Sequence, residues 1–261
     1  MTYNDDMEKI NSNQNSRVKA WTKLQTKKGR QASQTYLLDG WHLVQEAIHA
    51  NGKLHALMAT EDQFKEHEVD FPQGVPVFVI ADDIAKKLSD LVTPQGIFAE
   101  VSLPSSYRDP KYIHDGAWLF LDAIQDPGNV GTMVRTADAA GFAGVVFGQG
   151  SVDPYTPKAV RAMQGSQFHL ELTVGDLHTW IPEFTRNDFT VYGTQLNPEA
   201  VDIFQVQPAT NFALIMGNEG QGMDPELAKL TSKNLYIPLS GHAESLNVGV
   251  AAGIAMYTLK H

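Results

Sequence analysis

The sequence contains no cysteine, and that absence removes several kinds of chemistry at once. Disulfides, thiolate zinc sites and cysteine nucleophiles are all excluded. The sequence also lacks any run of 18 apolar residues, so we expect no membrane-spanning helix. The first fifteen residues are polar and have no apolar core of the kind that a signal peptide needs. Together these absences predict a cytoplasmic protein.

Basic residues are also scarce, with 20 Lys and Arg against 30 Asp and Glu and a net charge of −10. A net charge of that sign argues against a polyanionic partner such as nucleic acid. The distribution argues the other way, because residues 9–38, the basic arm, carry +7 and no acid, which leaves −17 for the other 231 residues. A concentrated basic arm on an acidic body is typical of a surface that binds a partner, which the net charge conceals. Its candidate contacts are Arg17, Lys19, Lys23, Lys27, Lys28 and Arg30.

Two interpretations of the basic arm stay open on composition alone. In one, the arm is a helical surface whose cations bind phosphates and whose Trp21 stacks on a base. In the other, it is a solvated helix whose apolar stripe, Trp21 included, packs into the core.

The first half of the chain alternates short apolar runs with helical patterns. The runs predict strands at 36–38, 54–59, 75–80 and 97–103, and the patterns predict helices at 41–50, 61–68 and 82–88, the last capped by Asp82. A segment rich in Pro and Ser follows at 104–110 and is typical of a linker. We therefore expect a small α/β domain at 1–108 and a second domain at 109–261.

The second half carries nearly continuous apolar runs of the kind found in strands buried on both faces. They lie at 117–121, 145–147, 189–192, 212–216 and, more briefly, 235–237, and helices are predicted at 129–140, 156–163, 176–185, 225–230 and 244–260. Strands that alternate with helices predict a mostly parallel, doubly wound sheet. Ligand loops are expected at the carboxyl ends of its strands.

Three loops of the second half carry candidate chemistry. The sequence Asp-Pro-Gly-Asn-Val-Gly at 126–131 opens a helix that Asn129 could cap and that holds Arg135, which could orient an anion or form an internal ion pair. Gly-Asn-Glu-Gly-Gln-Gly at 217–222 follows a strand and would allow close backbone approach to a ligand, or be a plain turn. Its Glu219 could pair with Arg135 or bind a substrate hydroxyl. The order G-x-x-G-x-G disfavours a nicotinamide dehydrogenase.

The third loop, Glu-Ser-Leu-Asn-Val at 244–248, opens a helix of small residues that also fits a tightly packed core. In this order and spacing, the three loops resemble the signature motifs of the SpoU/TrmH methyltransferases over about residues 115–261, and residues 158–170 resemble the segment between those motifs. Residues 15–19, 28–30 and 36–40 resemble, more loosely, the substrate-binding domain that precedes the catalytic domain in many members, a fold shared with some large-subunit ribosomal proteins. Asp39 stands where many relatives have Glu.

The resemblance implies an enzyme that transfers a methyl group from S-adenosylmethionine to a ribose 2′-hydroxyl in RNA, with large-subunit ribosomal RNA as the expected substrate. It further implies a trefoil-knotted catalytic domain, a homodimer formed through the knot, no metal, and a cofactor held by three loops. The implied cofactor-binding residues are Thr194, Gln195, Leu196, Met216, Gly217, Asn218, Gly220, Ile237, Leu239, Leu246 and Asn247.

The family assigns a catalytic role to the position of Arg135. Arginine is a poor free base because its pKa lies above about 12. We therefore expect Arg135 to bind the RNA phosphate beside the target ribose and to polarise the hydroxyl, with a phosphate oxygen accepting the proton. Asn129, Glu219 and Ser245 would position Arg135 or the ribose, and Arg161 would join Arg135 in a local RNA-binding patch. His242 is expected to be an exposed loop residue.

Three other functions remain open at this point. The chain could methylate the ribose of transfer RNA, or methylate a base, as other members of the wider knotted superfamily do. It could also be a catalytically silent RNA-binding or ribosome-assembly protein. The set Asn129, Arg135, Glu219 and Ser-Leu-Asn at 245–247 favours ribose methylation over base methylation and over a silent protein.

Overall fold

The computed structural model describes residues 8–104, 109–112, 115–195 and 197–261. Its contacts divide the chain into a first unit, Met1–Pro104 with Tyr155–Phe168, and a second unit, Ser105–Pro154 with His169–His261. The predicted boundary between 1–108 and 109–261 stays a prediction, because residues 105–108 lie outside the described residues. One segment differs from the sequence-based division, since residues 155–168 belong to the first unit.

The first unit begins with ten elements: β1 (Glu8–Ile10), α1 (Ser16–Lys23), α2 (Lys27–Ser33), β2 (Thr35–Asp39), α3 (Trp41–His49), β3 (Leu54–Ala59), α4 (Glu61–His67), β4 (Val77–Ile80), α5 (Asp82–Leu88) and β5 (Ile97–Ser102). The strand order in its sheet is β1-β4-β3-β5-β2. Strand β3 is parallel to β4 and antiparallel to β5. Apolar residues of α1 and α5, among them Val18 and Ile84, share one core cluster with the sheet.

The basic arm folds as two helices rather than one. Thr26 separates them, because its side chain accepts a hydrogen bond from the backbone of Gly29 at 3.1 Å and so caps α2. Trp21 lies in the core at 3% exposure, and its ring nitrogen donates to the Glu100 carboxylate at 3.0 Å. Trp21 is therefore a core residue and does not stack on RNA.

The second unit is built on a sheet of seven parallel strands. It contains β6 (Ala117–Leu121), α6 (Pro127–Ala139) and β7 (Gly144–Phe147), after which the chain forms α7 (Pro157–Met163) of the first unit. It continues with β8 (Glu171–Val174), α8 (Leu177–Arg186), β9 (Thr190–Gly193), β10 (Val201–Asp202), β11 (Phe212–Met216), α9 (Pro225–Ala228), β12 (Lys233–Tyr236) and α10 (Val248–Lys260). The strand order is β10-β12-β9-β11-β6-β7-β8, and every pairing is parallel.

This arrangement confirms the predicted α/β class with a parallel sheet, whereas the knot stays a prediction. Strands β6 and β11 are adjacent and fully buried, and Leu121 is paired with Met216. Because parallel strands end at the same edge of the sheet, the loop after β6 and the loop after β11 must meet there. That edge is where the first two motifs come together.

Several predicted helix starts were wrong by a few residues. Asp126, rather than Asn129, caps α6, because its carboxylate accepts from the Asn129 backbone at 2.8 Å and Pro127 takes the first helical position. Ala81, rather than Asp82, is the cap residue of α5. Helix α10 begins at Val248, so residues 244–247 are not helical.

Candidate active site

The glycine-rich loop after β11 folds back on itself. The backbone groups of Asn218 and Gly222 exchange two hydrogen bonds of 2.9 Å, and a Cβ added to Gly217 would lie 2.2 Å from the backbone nitrogen of Met223. Glycine at 217 is therefore required by close backbone approach within the loop. The side-chain amide of Asn218 donates to the carbonyl oxygen of Ala123 at 2.7 Å, which ties this loop to the turn after β6.

A chain of side-chain hydrogen bonds connects the three motifs. The Glu219 carboxylate accepts from the side-chain amide of Asn129 at 3.1 Å and from the backbone nitrogens of Asp126 at 3.1 Å and Gln125 at 3.3 Å. The Asn247 side-chain amide then donates to the Asn129 Oδ1 at 3.0 Å. The Oδ1 of Asn247 accepts from the first turn of α10, so the same side chain caps that helix.

These contacts determine the charge state of Glu219. Partial burial raises the pKa of the carboxyl, but the hydrogen bonds that it accepts together outweigh burial and hold the pKa below the ordinary value. Glu219 is therefore ionised at neutral pH, and its oxygens are already engaged by three donors. It is suited to hold Asn129 in place and poorly suited to take up a proton.

Arg135 and Ser245 stand apart from this network. Arg135 is exposed on α6 and forms no hydrogen bond or ion pair with any residue that the structure describes. The ion pair between Arg135 and Glu219 that the sequence left open is thus not formed, and the guanidinium can contact an external anion. Ser245 lies in the wall of a cavity beside the network. His242 is exposed, as expected.

The cavity has a volume of about 700 Å³ and opens between the loops that follow β9, β11 and β12. Its walls include eight of the predicted cofactor-binding residues: Thr194, Met216, Gly217, Asn218, Gly220, Ile237, Leu239 and Leu246. Gln195 and Asn247 are not in the lining, and Leu196 lies outside the described residues. The catalytic candidates Glu219 and Ser245 also line it.

Sequence reasoning missed five other lining residues, Ile203, Leu235, Tyr236, Ala251 and Ala255, and gave no cofactor role to Glu244 and Val248 of the third motif. Ala251 and Ala255 are four residues apart on α10, so they share a face of the helix. That small-residue face could have identified them. Ile203 follows the two-residue strand β10, and no sequence pattern marked it.

The cavity suits a molecule that combines an aromatic base with charged groups. Its volume falls within the range of about 300–1,000 Å³ that is usual for small-molecule sites. Apolar walls from Ile203, Leu235 and Leu246 alternate with the backbone of the glycine-rich loop. A Cβ at Gly220 would have only one neighbour, the Asn218 Oδ1 at 3.7 Å, so this glycine leaves open space. The residues present therefore fit S-adenosylmethionine.

The predicted RNA-binding residues divide into two groups. Lys19, Lys23, Lys27 and Lys28 are exposed. Arg30, in contrast, is 2% exposed and donates to the carbonyl oxygen of Leu24 at 2.9 Å, so burial removes it from the RNA-binding set. Arg17 lies 3.6 Å from the Glu8 carboxylate and over the ring of Phe78.

Arg161 is also engaged inside the first unit. Its guanidinium lies 2.5 Å from the Asp90 carboxylate and 3.8 Å from that of Asp39, and its side chain is 20% exposed. Burial raises the pKa of Asp39, while the hydrogen bond from Ser89 and the charge of Arg161 oppose that rise. The position of Arg161 favours a structural role over the predicted RNA contact.

The described residues offer neither a metal site nor a membrane span. They contain no group of three His, Asp or Glu side chains that could hold a metal ion. No helix in these ranges is long and apolar enough to cross a membrane.

Comparisons with known proteins match both halves of the chain. The SpoU rRNA Methylase family matches residues 116–257, and the MRM3-like substrate binding domain matches residues 15–99. The sequence is 39% identical over 254 residues to the 23S rRNA (guanosine(2553)-2'-O)-methyltransferase RlmP of Bacillus subtilis, covering 97% of this chain and 100% of that protein.

Two further relatives agree with this match. The 23S rRNA (guanosine-2'-O-)-methyltransferase RlmB of Acinetobacter baylyi is 32% identical over 215 residues, which cover 78% of this chain and 86% of that protein. The crystal structure of an AdoMet-bound rRNA methyltransferase from Sinorhizobium meliloti superposes with a TM-score of 0.85 at 28% identity, covering 97% of each chain.

Proposed function

This chain belongs to the SpoU rRNA methylase family, and from that premise we propose that it methylates a ribose 2′-hydroxyl of large-subunit ribosomal RNA. The observation that carries the proposal is the hydrogen-bonded network in which Glu219, Asn129 and Asn247 join all three motifs beside a cavity that fits S-adenosylmethionine. Support for the ribosomal substrate comes from RlmP and RlmB, which are named as 23S rRNA ribose methyltransferases and which this chain resembles over most of its length.

The cofactor would be held by the loops that line the cavity, among them those at Thr194, Gly217 and Ile237. When bound, S-adenosylmethionine supplies a methyl group on a cationic sulfur that is already a good leaving group. The protein's main task is then to orient the attacking oxygen, and orientation can contribute up to about 7–11 kcal/mol to catalysis.

Two further roles fall to residues that the structure describes: binding the charge of the RNA and positioning the ribose. Arg135 is exposed and unpaired among them, so it would bind the RNA phosphate beside the target ribose and polarise the hydroxyl. A phosphate oxygen of the RNA would accept the hydroxyl proton, because Glu219 has a lowered pKa and three donors on its carboxylate. Asn129, held between Glu219 and Asn247, and Ser245 on the cavity wall would position the ribose.

The protein would act as a homodimer in the cytoplasm, where ribosomes are made. Helix α10 leaves two large apolar side chains, Val250 and Tyr257, 54% and 47% exposed, and both are available to a second copy of the chain. An active site shared between two copies would also explain why Arg135 has no partner among the described residues of its own chain.

The test is replacement of Arg135 by alanine. Because the loss of one group that stabilises charge in the transition state typically lowers turnover 100- to 1,000-fold, we expect a loss of about that size in methyl transfer to ribosomal RNA. The affinity for S-adenosylmethionine, measured by calorimetry, should stay near that of the unchanged protein. Arg186→Ala, which removes another exposed arginine of the second unit, is the matched control and should remain active.

The same assay separates the competing functions. Mass spectrometry of digested RNA should find the label on ribose, whereas label on a base would identify a base methyltransferase. Faster methylation of transfer RNA than of ribosomal RNA would favour the transfer RNA alternative. Near-normal turnover of Arg135→Ala would overturn the role of this residue, and no binding of S-adenosylmethionine would favour a silent protein.

A further inference from the structure

Six lysines of the first unit are exposed around the junction of three helices. They lie on α1 (Lys19, Lys23), on α2 (Lys27, Lys28) and on α5 (Lys86, Lys87). None of the six forms an ion pair with any residue that the structure describes. Some exposed lysines elsewhere do so, since Lys65 lies 3.3 Å from Glu61 and Lys229 lies 2.5 Å from Glu226.

Specific contacts hold α5 against the α1–α2 turn. The side-chain amide of Gln25, in that turn, donates to the carbonyl oxygens of Lys87 and Leu88, both at 3.0 Å. The apolar faces of α1 and α5 meet in one core cluster through residues such as Trp21 and Leu88. Lys86 and Lys87, although distant in sequence from the basic arm, therefore lie on the helix that packs beside it.

A purely structural role does not account for these two lysines. Cations in the last turn of a helix can stabilise its terminal carbonyl groups. In α5, however, Gln25 already satisfies the carbonyl groups of Lys87 and Leu88. The Lys87 ammonium has one contact with the described residues, to the carbonyl oxygen of Asn13 at 3.5 Å, and Lys86 has none. Their charges remain available to an external anion.

The acids near this surface are partly engaged by other groups. Asp83 accepts a hydrogen bond of 2.5 Å from the Asn13 side chain, and Asp90 is paired with Arg161. Asp82, in the first turn of α5, is exposed. The basic arm carries no acid at all, so cations dominate where α1, α2 and the end of α5 meet.

We propose that Lys86 and Lys87 extend the basic arm into one RNA-binding surface, formed by the six lysines named above, that contacts RNA phosphates. The proposal rests on the proposed function, because it names where the RNA substrate of that enzyme binds. It assigns the contact to the phosphate backbone, since several lysines on one face supply charge without the planar fork that reads bases.

The experiment compares the salt dependence of RNA binding between variants of the full-length protein. Lys86→Gln/Lys87→Gln keeps side-chain length and removes two charges, and the control Lys65→Gln/Lys229→Gln removes two charges from lysines that are ion-paired. Binding to an in vitro transcript of large-subunit ribosomal RNA is measured by fluorescence anisotropy between about 50 and 200 mM KCl, where phosphate contacts depend strongly on salt. Melting temperature and S-adenosylmethionine affinity, measured alongside, should stay unchanged in both variants.

Each phosphate contact that is lost should reduce the slope of log affinity against log salt by about 1, so the α5 variant should lose about 2 and bind more weakly, while the control keeps its slope. If the α5 variant has the same slope as the control, or if the unchanged protein does not bind RNA, the proposed RNA-binding surface is wrong. If the slope of the α5 variant falls as expected but the unchanged protein methylates no RNA, the RNA-binding surface is supported and the proposed function is wrong.

Discussion

Glu219 shows how a single carboxylate can connect loops from distant parts of the sequence. Its three donors lie 90 to 94 residues away in sequence. They are Gln125, Asp126 and Asn129, in the turn and the first helical residues after β6. Two of the donors are backbone groups, which every substitution of their own side chains except proline leaves in place. Replacement of Glu219 is therefore the direct way to weaken the contact between the first two motifs.

We expect Glu219→Gln to destabilise the protein in a pH-dependent way. The folded-state pKa of Glu219 lies below its ordinary value. The ionised carboxylate therefore stabilises the fold at any pH above the unfolded-state pKa of about 4.3, and this stabilisation is lost as the pH falls through the folded-state pKa. The difference in unfolding free energy between the two proteins should be constant near neutrality and shrink below about pH 4. Urea unfolding at several pH values measures it.

The control for this prediction is Glu226→Gln, because Glu226 is exposed on α9 and its side chain pairs with Lys229. This variant should differ little from the unchanged protein near neutral pH, since exposed ion pairs contribute about 0–1 kcal/mol. A difference for Glu219→Gln that stays the same down to pH 3.5 would contradict the role given to its hydrogen bonds.

Residue identity predicted much of the candidate site but not which cations are available. Eight of the eleven residues that the family resemblance implied for the cofactor lie in the cavity wall, at the edge where loops from adjacent parallel strands converge. Arg30 was misjudged, and the predicted RNA contact of Arg161 is disfavoured, for the same physical reason. Arg30 turns back to a backbone carbonyl, and Arg161 meets Asp90 from 71 residues away, and neither contact leaves a local signal in the sequence.

At the scale of elements, helix α10 depends on the side chain that begins it. Asn247 accepts hydrogen bonds from the backbones of Gly249 and Val250 through Oδ1 and donates to Asn129 through its amide. One side chain thus caps a helix and holds the first motif. Two substitutions can separate these roles, because aspartate caps a helix about as well as asparagine but cannot donate the amide hydrogen bond.

We expect Asn247→Asp to retain most of the stability and lose activity, and Asn247→Ala to lose both. The alanine variant should be less stable by about 1 kcal/mol, the usual cost of removing a cap. Thermal unfolding and methyl transfer measured on both proteins test this. If the aspartate variant is fully active, the hydrogen bond to Asn129 is not needed for positioning.

The elements themselves were predictable where their pattern was long and strongly apolar. Strands β6 and β11 read as continuous apolar runs because both of their faces are buried. Short elements gave no such signal, and β1, β8 and β10, of two to four residues, were missed. The start of α10 was placed too early, because residues 244–246 line the cavity as loop and Asn247 caps the helix.

At the scale of the whole molecule, the sequence predicted a parallel sheet but not the path of the chain through it. Alternation of strands and helices implies parallel pairing, yet it does not fix the order β10-β12-β9-β11-β6-β7-β8. Nor could it show that residues 155–168, between β7 and β8, pack with the first unit, where the rings of Tyr155 and Tyr36 lie 4.9 Å apart. Such contacts depend on tertiary packing between residues far apart in sequence.

The proposed homodimer leads to a prediction about association and activity together. Val250 and Tyr257 are seven residues apart, so they lie on one face of α10, with the small residue Gly253 between them. Large exposed apolar side chains beside a small residue allow another copy to approach closely. Tyr257→Asp would place a charge on that face, and a charge without a partner is costly to bury.

We therefore expect the unchanged protein to sediment as a dimer and Tyr257→Asp to sediment as a monomer at micromolar concentration. Val69→Asp, which adds the same charge at an 85% exposed apolar site of the first unit, should remain dimeric. If both copies complete the active site, methyl transfer should fall with dimerisation in Tyr257→Asp and persist in Val69→Asp. A monomeric unchanged protein, or a Tyr257→Asp variant that remains dimeric, would show that this face of α10 is not the interface. A fully active monomer would instead show that one chain provides the complete active site.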